Sequence, residues 1–232
     1  MAELVLIRHA QPDWEPDGRA VDHPALTGYG QRQAEAVAGA IAGPFDAFYV
    51  SPLQRAQETA EPIARSLGHE PKTLSWLAEI RLPPLEGLTP DEVQDHFRET
   101  RARDLGDWWD PMPGGESFRH MYERVSSGVE SLLSSSHGMR IHQNSGYRIW
   151  HPEHEDARIL IVAHNGTNSV IVSHLLGIEP VPWAWSRFAS PWTGVTRLRT
   201  APAANGFIWE LAGFGRVDHL VGLDAERDPE AG

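Results

Sequence analysis

The chain contains no cysteine, which excludes disulfides and thiolate metal sites. It has no apolar run approaching the roughly 20 residues needed to span a bilayer. No basic stretch followed by an apolar segment and a small-residue cleavage site opens the chain, so a signal peptide is not expected. With no address recognised, a cytoplasmic location is the default expectation. Positive charge is also scarce: 20 Lys and Arg stand against 32 Asp and Glu, a net charge of −12. A general nucleic-acid or anionic-membrane surface needs a basic footprint and is not expected. An anionic small substrate remains compatible, because a few arginines converging in one cleft reverse the local potential. Internal repeats and low-complexity segments are absent.

The 232 residues, 41% apolar and 22% charged, suffice for a full core and predict one domain with an excursion. Nine tryptophans are many for this length. Trp108, Trp109, Trp183, Trp185 and Trp192 fall in proline-rich segments and are candidates for pocket walls.

Two stretches organise the rest. Leu4-Val5-Leu6-Ile7 reads as a strand buried on both faces, and Arg8-His9 follows at once. Ile159-Leu160-Ile161-Val162-Ala163 repeats the pattern and ends in His164-Asn165-Gly166. Between them, Thr27 caps a helix that Gly43-Pro44 stops, and Phe45 to Val50 is a second strand. Ser51 as N-cap with Pro52 at the first helical position predicts the next helix, which Pro62 should kink or divide. Lys72 to Trp76 is a candidate third strand. Thr89-Pro90-Asp91-Glu92 is a capping box opening a helix, and Glu116 to about Ser135 reads as another. His137 to Asp156 is polar without periodicity, an irregular insertion. Thr167 to Leu176 is a helix, Thr193 to Thr200 and Phe207 to Leu211 are strands, and the charged tail from Asp224 should be frayed. Strands alternating with helices imply an α/β fold with a largely parallel sheet, whose ligands bind beyond the carboxyl ends of the strands. Arg8, His9 and His164 fall there. Arg55, near the start of its helix, would strengthen an anion site at that N-terminus.

Several segments together resemble a known family. Arg8-His9-Ala10, Leu26 to Ala34, Ser51 to Ala60, Leu77-Ala78-Glu79-Ile80 with Leu85 to Thr89, Gly114-Gly115-Glu116-Ser117 and Val162 to Gly166 look like the blocks of the histidine phosphatase superfamily, the phosphoglycerate-mutase-like branch 1. They occur in the family's order over roughly residues 4 to 220. The resemblance implies a three-layer α/β/α fold with a mostly parallel central sheet, residues 1–232 forming one domain with an insertion at about 137–157. It implies an acid-type phosphomonoesterase with His9 as the nucleophile that becomes phosphohistidine. Arg8 and Arg55 would hold the phosphoryl oxygens, with His164 donating from the opposite side and the Asn165 backbone N–H adding a contact. Glu79 would protonate the leaving oxygen and then take a proton from water. The scheme requires no metal and no cofactor. His151, His154, Glu155 and Asp156 could together hold a cation, but a solvated polar loop explains them as well.

The chain departs from the family pattern in three places. Glu15 stands where the family often has a phosphate-contacting asparagine, Asn165 replaces the usual glycine, and residues 137–156 are extra relative to compact members. The expected function is hydrolysis of a small phosphorylated metabolite. A cofactor-dependent phosphoglycerate mutase is the alternative, although Glu79-Ile80-Arg81-Leu82-Pro83 lacks the mutase block after the acid; Arg101 and Arg103 could supply its basic contacts. A non-catalytic binding member is a further alternative. An apolar edge strand would support a homodimer without requiring one.

Overall fold

The computed structural model describes residues 1–111, 113–153 and 156–223. The strands are β1 (Glu3–Arg8), β2 (Ala47–Val50), β3 (Lys72–Thr73), β4 (Met139–Asn144), β5 (Tyr147–Pro152), β6 (Arg158–Ala163), β7 (Val195–Ala203) and β8 (Gly206–Arg216). The α-helices are α1 (Gly28–Ala40), α2 (Gln54–Leu67), α3 (Pro90–Arg101), α4 (Phe118–Ser131) and α5 (Asn165–Leu175). The strands form one sheet in the order β3-β2-β6-β1-β7-β8-β5-β4. The half that carries β1, β2, β3 and β6 is parallel, while β7, β8, β5 and β4 extend it antiparallel, so the whole sheet is mixed.

Pleat parity in the central strands builds the three layers. Leu4, Leu6, Ile159 and Ile161 face one side and pack with Met121, Val125 and Val129 of α4 and Val170 and Ile171 of α5. Val5, Ile7, Leu160 and Val162 face the other and pack with Val37 of α1 and Ala60 and Ile63 of α2. Every residue of β1 except Arg8 is buried, which is why a run without alternation forms a strand here. Glu3, buried at the start of β1, is held by Arg158, Arg197 and Arg199 at 3.0, 3.3 and 3.2 Å.

Several local expectations are met and others corrected. Thr27 accepts the Gly30 N–H and caps α1, and the capping box of Thr89 and Glu92 opens α3. Ser51 is not the N-cap of α2: that helix starts at Gln54 after Leu53, which makes no side-chain cap bond. The Ser51 hydroxyl is engaged elsewhere. Pro62 does not divide α2, which runs through it with Ala60, Ile63 and Ala64 buried against the sheet. Tertiary packing outweighs the one hydrogen bond that proline removes. The third strand keeps only Lys72–Thr73, and α4 ends in a π-helical turn at Leu132–Ser136.

The segment after residue 137 is not irregular. β4 and β5 form a hairpin whose two turn residues, Ser145 and Gly146, have φ of 53° and 85°. Positive φ at both central positions is the turn that matches strand twist. Trp150 faces inward, fully buried, with its ring edge-on to Trp209 at 6.1 Å. The pattern is illegible locally because its inward residues are buried by β8 and α4, far away in sequence. Neither edge of the sheet is a continuous apolar strand: β3 has two exposed residues and β4 mixes Met139 and Ile141 with Arg140 and His142. The charged tail from Asp224 lies outside the described residues. Among the described residues no helix is long and apolar enough to cross a membrane.

Candidate active site

Parallel register assembles the site. Arg8 at the end of β1 is opposite Ala163 at the end of β6, and Val50 at the end of β2 is opposite Val162. The residues that leave these adjacent strands, His9, His164 and Ser51, therefore emerge together at the carboxyl edge. The ladder continues past the strands: the His9 N–H donates to Ala163 O at 2.9 Å and the Ser51 N–H to Val162 O at 3.0 Å. The two imidazoles lie with ring centroids 5.1 Å apart, tilted at 57°, and both are buried.

Hydrogen bonding assigns the His9 tautomer. His9 Nδ1 lies 2.7 Å from the Ala10 carbonyl, which can only accept, so Nδ1 carries the proton and Nε2 keeps its lone pair. His164 Nε2 lies 2.6 Å from Ser51 Oγ. That hydroxyl also accepts the Leu53 N–H at 3.3 Å, and with two lone pairs and one proton it can serve either ring tautomer of His164. His164 Nδ1 is buried and has no partner within the protein. Burial, followed by Arg55 and Arg8, holds His9 well below the usual imidazole range, against the opposing effect of the Ala10 carbonyl. Burial lowers His164 in the same way, aided by His9, Arg55, Arg8 and Arg124. Both imidazoles are neutral at pH 7.

Two arginines flank them. Arg8 donates to Ser190 O at 2.6 Å, and its guanidinium carbon lies 5.8 Å from the Trp192 ring. Arg55 is 4% exposed, in the first turn of α2, with its guanidinium 5.0 Å from the Trp14 ring. Burial lowers Arg55 to about 10, with Glu79 opposing and Arg8 adding to the shift, and it stays charged at neutral pH. The Nε atoms of both arginines are buried without a partner.

Glu79 reaches the same region from the loop after the short helical turn Ser75–Leu77. Its carboxylate accepts the Gly166 N–H at 2.8 Å, at the start of α5, and its own neighbour Ile80 N–H at 3.0 Å. A Cβ on residue 166 would stand 2.5 Å from Glu79 Oε1, so only glycine lets the carboxylate rest there. Arg124 fixes the approach of this loop, donating to the carbonyls of Trp76 and Ala78 at 2.7 and 3.0 Å while paired with Glu116 at 2.8 Å.

The structure therefore gathers Arg8, His9, Arg55, Glu79 and His164 into one cationic site, in which the Glu79 carboxylate acts on both guanidiniums. Neutral imidazole with a free lone pair beside two guanidiniums suits attack on an anionic electrophile such as a phosphoryl group.

A family model described as the histidine phosphatase superfamily (branch 1) matches residues 4–208. The chain belongs to that superfamily. Its fold agrees with that of a solved structure, a mycobacterial glucosyl-3-phosphoglycerate phosphatase (TM-score 0.69, 23% identity, covering 93% of this chain and 99% of that one). Phosphoserine phosphatase 1 of Hydrogenobacter thermophilus is 27% identical over 193 residues, 77% of this chain and 78% of the relative. The "Bifunctional protein Rv2228c" of Mycobacterium tuberculosis is 34% identical over 142 residues. The match covers 60% of this chain but only 39% of that longer relative.

The departures from the superfamily pattern have structural addresses. Asn165 spends its side chain on the segment that follows α5: Oδ1 accepts the Ser190 N–H at 2.9 Å and Nδ2 donates to Trp185 O at 3.5 Å. Glu15 is exposed, next to the Trp14 that covers Arg55. Arg103 does not reach into the site; its guanidinium donates to the carbonyls of Asp107 and Asp110. Trp109 packs on Phe118, with ring centroids 5.5 Å apart, beneath Arg119. His151 meets His142 edge-on at 4.8 Å across the hairpin, while His154 and Glu155 lie outside the described residues. Among the described residues no three acidic or histidine side chains converge to hold a metal ion.

Sequence reasoning named Trp192 only as a candidate pocket wall and missed Ser51, Gly166, Arg124 and Trp14 as participants. Ser51 carried a usable signal, since it ends a buried strand as His9 and His164 do. The others act across long sequence separations and had none.

Proposed function

We infer that this member of the superfamily is a phosphomonoesterase that hydrolyses a small phosphorylated metabolite through a phosphohistidine on His9. The observation that carries the reading is the His9 tautomer, with Nδ1–H bound to the Ala10 carbonyl and a lone pair on Nε2, beside the buried Arg55 and the partly buried Arg8. In the first step Nε2 attacks phosphorus in line, the phosphorus–oxygen ester bond breaks, and Glu79 in its acid form gives its proton to the departing oxygen. Arg8, Arg55 and His164 hold the equatorial oxygens as charge redistributes. In the second step Glu79 takes a proton from water, whose oxygen attacks phosphorus. The N–P bond breaks, and its electron pair returns to Nε2 as phosphate departs.

Relatives of both kinds match, phosphoserine phosphatase 1 at 27% identity and a probable phosphoglycerate mutase of Salmonella paratyphi C at 28%, and the segment Glu79-Ile80-Arg81-Leu82-Pro83, without the mutase block, supports hydrolysis. Commitment of Arg103 to nearby carbonyls supports it too, because one of the two arginines suggested for a mutase substrate is otherwise engaged. The test is a panel of phosphomonoesters with His9→Ala as control. Phosphate release by the wild type, lost in the variant and unchanged by chelator, is expected. Equal release by His9→Ala overturns the nucleophile assignment. Phosphoryl transfer from a bisphosphoglycerate to a monophosphoglycerate that outruns phosphate release replaces the hydrolase reading with the mutase.

A further inference from the structure

Three side-chain N–H donors in the neighbourhood of His9, Arg8 Nε, Arg55 Nε and Trp192 Nε1, are buried and find no acceptor within the protein, and His164 Nδ1 is likewise buried without a partner. Both arginines and His164 belong to the anion site already described. The indole belongs to a residue with no assigned role. An indole N–H can only donate, and a buried donor without a partner is destabilising, so its retention here asks for an acceptor.

Trp192 is placed with unusual firmness. Its ring borders the Arg8 guanidinium at 5.8 Å. The next residue, Thr193, is fully buried and has φ of 54°, a region that β-branched side chains rarely occupy. Its N–H donates to the carbonyls of Arg8 and His9 at 3.1 and 3.3 Å, so the strained turn is tied directly to the nucleophile's backbone. Its hydroxyl donates to Trp192 O at 2.7 Å and in turn accepts from His219 Nε2 at 3.0 Å. One residue upstream of the proline that precedes Trp192, the Ser190 carbonyl accepts from Arg8. The backbone on both sides of Trp192 is thereby anchored to Arg8, and a strained residue held in place beside a reacting group is the arrangement expected when the strain serves positioning.

We propose that Trp192 is a phosphoryl-binding residue, its indole N–H donating to a nonbridging oxygen of the group that Arg8 also holds. A phosphoryl group supplies the acceptors that these orphaned N–H groups need, since each of its oxygens can accept more than one hydrogen bond. The indole adds a donor that carries no charge, so it strengthens oxyanion binding without further depressing the basicity of His9. This inference rests on the phosphatase reading and adds a residue to it.

The experiment reads inorganic phosphate, both as an inhibitor and as a ligand for the indole N–H resonances. Trp192→Phe removes the donor and keeps an aromatic ring beside Arg8, and benzothienylalanine at position 192 replaces only the N–H with sulfur. Either change is expected to raise the inhibition constant of phosphate about tenfold, the worth of one hydrogen bond to a charged group. In the wild type, the indole resonance that vanishes in Trp192→Phe should shift downfield as phosphate saturates. The indole of Trp209, also buried without a partner but set opposite Thr200 and against Trp150 rather than beside Arg8, should not move. Inhibition unchanged within about twofold in the benzothienylalanine protein, or a Trp192 resonance unmoved at saturation, overturns the assignment. If phosphate inhibits wild type and variants alike, Trp192 is dropped and the phosphatase reading stands. If the wild type neither binds phosphate nor hydrolyses any ester of the panel, the reading itself fails and this inference falls with it.

Discussion

Substituting Gly166 by alanine tests the placement of the acid with one methyl group. The new Cβ would meet Glu79 Oε1 at 2.5 Å, Met121 Cε at 3.1 Å and Glu79 Cδ at 3.2 Å. Ordinary contact begins near 3.4 Å, so the carboxylate must retreat by about 1 Å, and displacement on that scale costs roughly a hundredfold in rate when geometry is catalytic. Stability should change far less. Gly166 lies in the first turn of α5 with an ordinary helical backbone, where alanine gains up to about 1 kcal/mol over glycine. Weakening the 2.8 Å bond between the Gly166 N–H and Glu79 forfeits a charge-assisted interaction of about 1.5–3 kcal/mol, for a net loss near 1 kcal/mol. The assay compares two esters. An alkyl phosphate has a poor leaving group that needs the proton from Glu79, and its kcat should fall about a hundredfold. For p-nitrophenyl phosphate, whose leaving group departs largely without protonation, the loss should stay below about tenfold. Inhibition by inorganic phosphate should be nearly unchanged, because His9, Arg8 and Arg55 are untouched. Alkyl phosphate turnover within about threefold of wild type would refute the argument that Glu79 acts from this position.

Other outcomes follow from the same geometry. Ser51→Ala removes the hydroxyl that holds His164 Nε2 at 2.6 Å, so kcat should fall about tenfold while the melting temperature changes little; unaltered kcat would show that Ser51 does not position His164. Stability should decline as pH falls from 7 to 5, followed by thermal melting without phosphate. His9 and His164 titrate well below 6.5 in the folded state, so the unfolded chain binds more protons there. Their contribution is fully present above the unfolded value near 6.5 and is lost as pH drops toward the folded values, at up to about 1.4 kcal/mol per pH unit for each. A flat melting profile across that window would contradict it. Trp150→Ala should cost about 3–5 kcal/mol in urea unfolding if the β4–β5 hairpin is part of the core, and under 1 kcal/mol if it is an appendage.

The legible parts of this protein are those written in short windows. Leu4 to Ile7 and Ile159 to Ala163 announce buried strands because apolar, β-branched runs have few other stable fates, and a parallel sheet then requires that Arg8, His9 and His164 stand at its carboxyl edge. The caps at Thr27 and Thr89 were readable because side chain and satisfied N–H are three residues apart. The superfamily blocks carried the rest of the candidate set, including Arg55 and Glu79. Ser51 misled because its chemistry is ambiguous in one dimension: a serine before a proline caps a helix in most chains, and only the neighbouring strand brings His164 within 2.6 Å to claim the hydroxyl. The hairpin after residue 137 was illegible for a related reason. Its inward residues are apolar toward β8 and α4, partners that a local window does not contain.

The amino-acid sequence by itself determined the α/β class, the two strand-end histidines and the residues available for phosphoryl chemistry, because backbone propensity and side-chain type are local properties. Tertiary structure alone decided which nitrogen of His9 is free, why residue 166 must be glycine beside Glu79, and that Trp192 borders Arg8. Those depend on hydrogen-bond partners and close approaches between segments as distant as residues 9 and 193, and such contacts exist only once the sheet has closed its register.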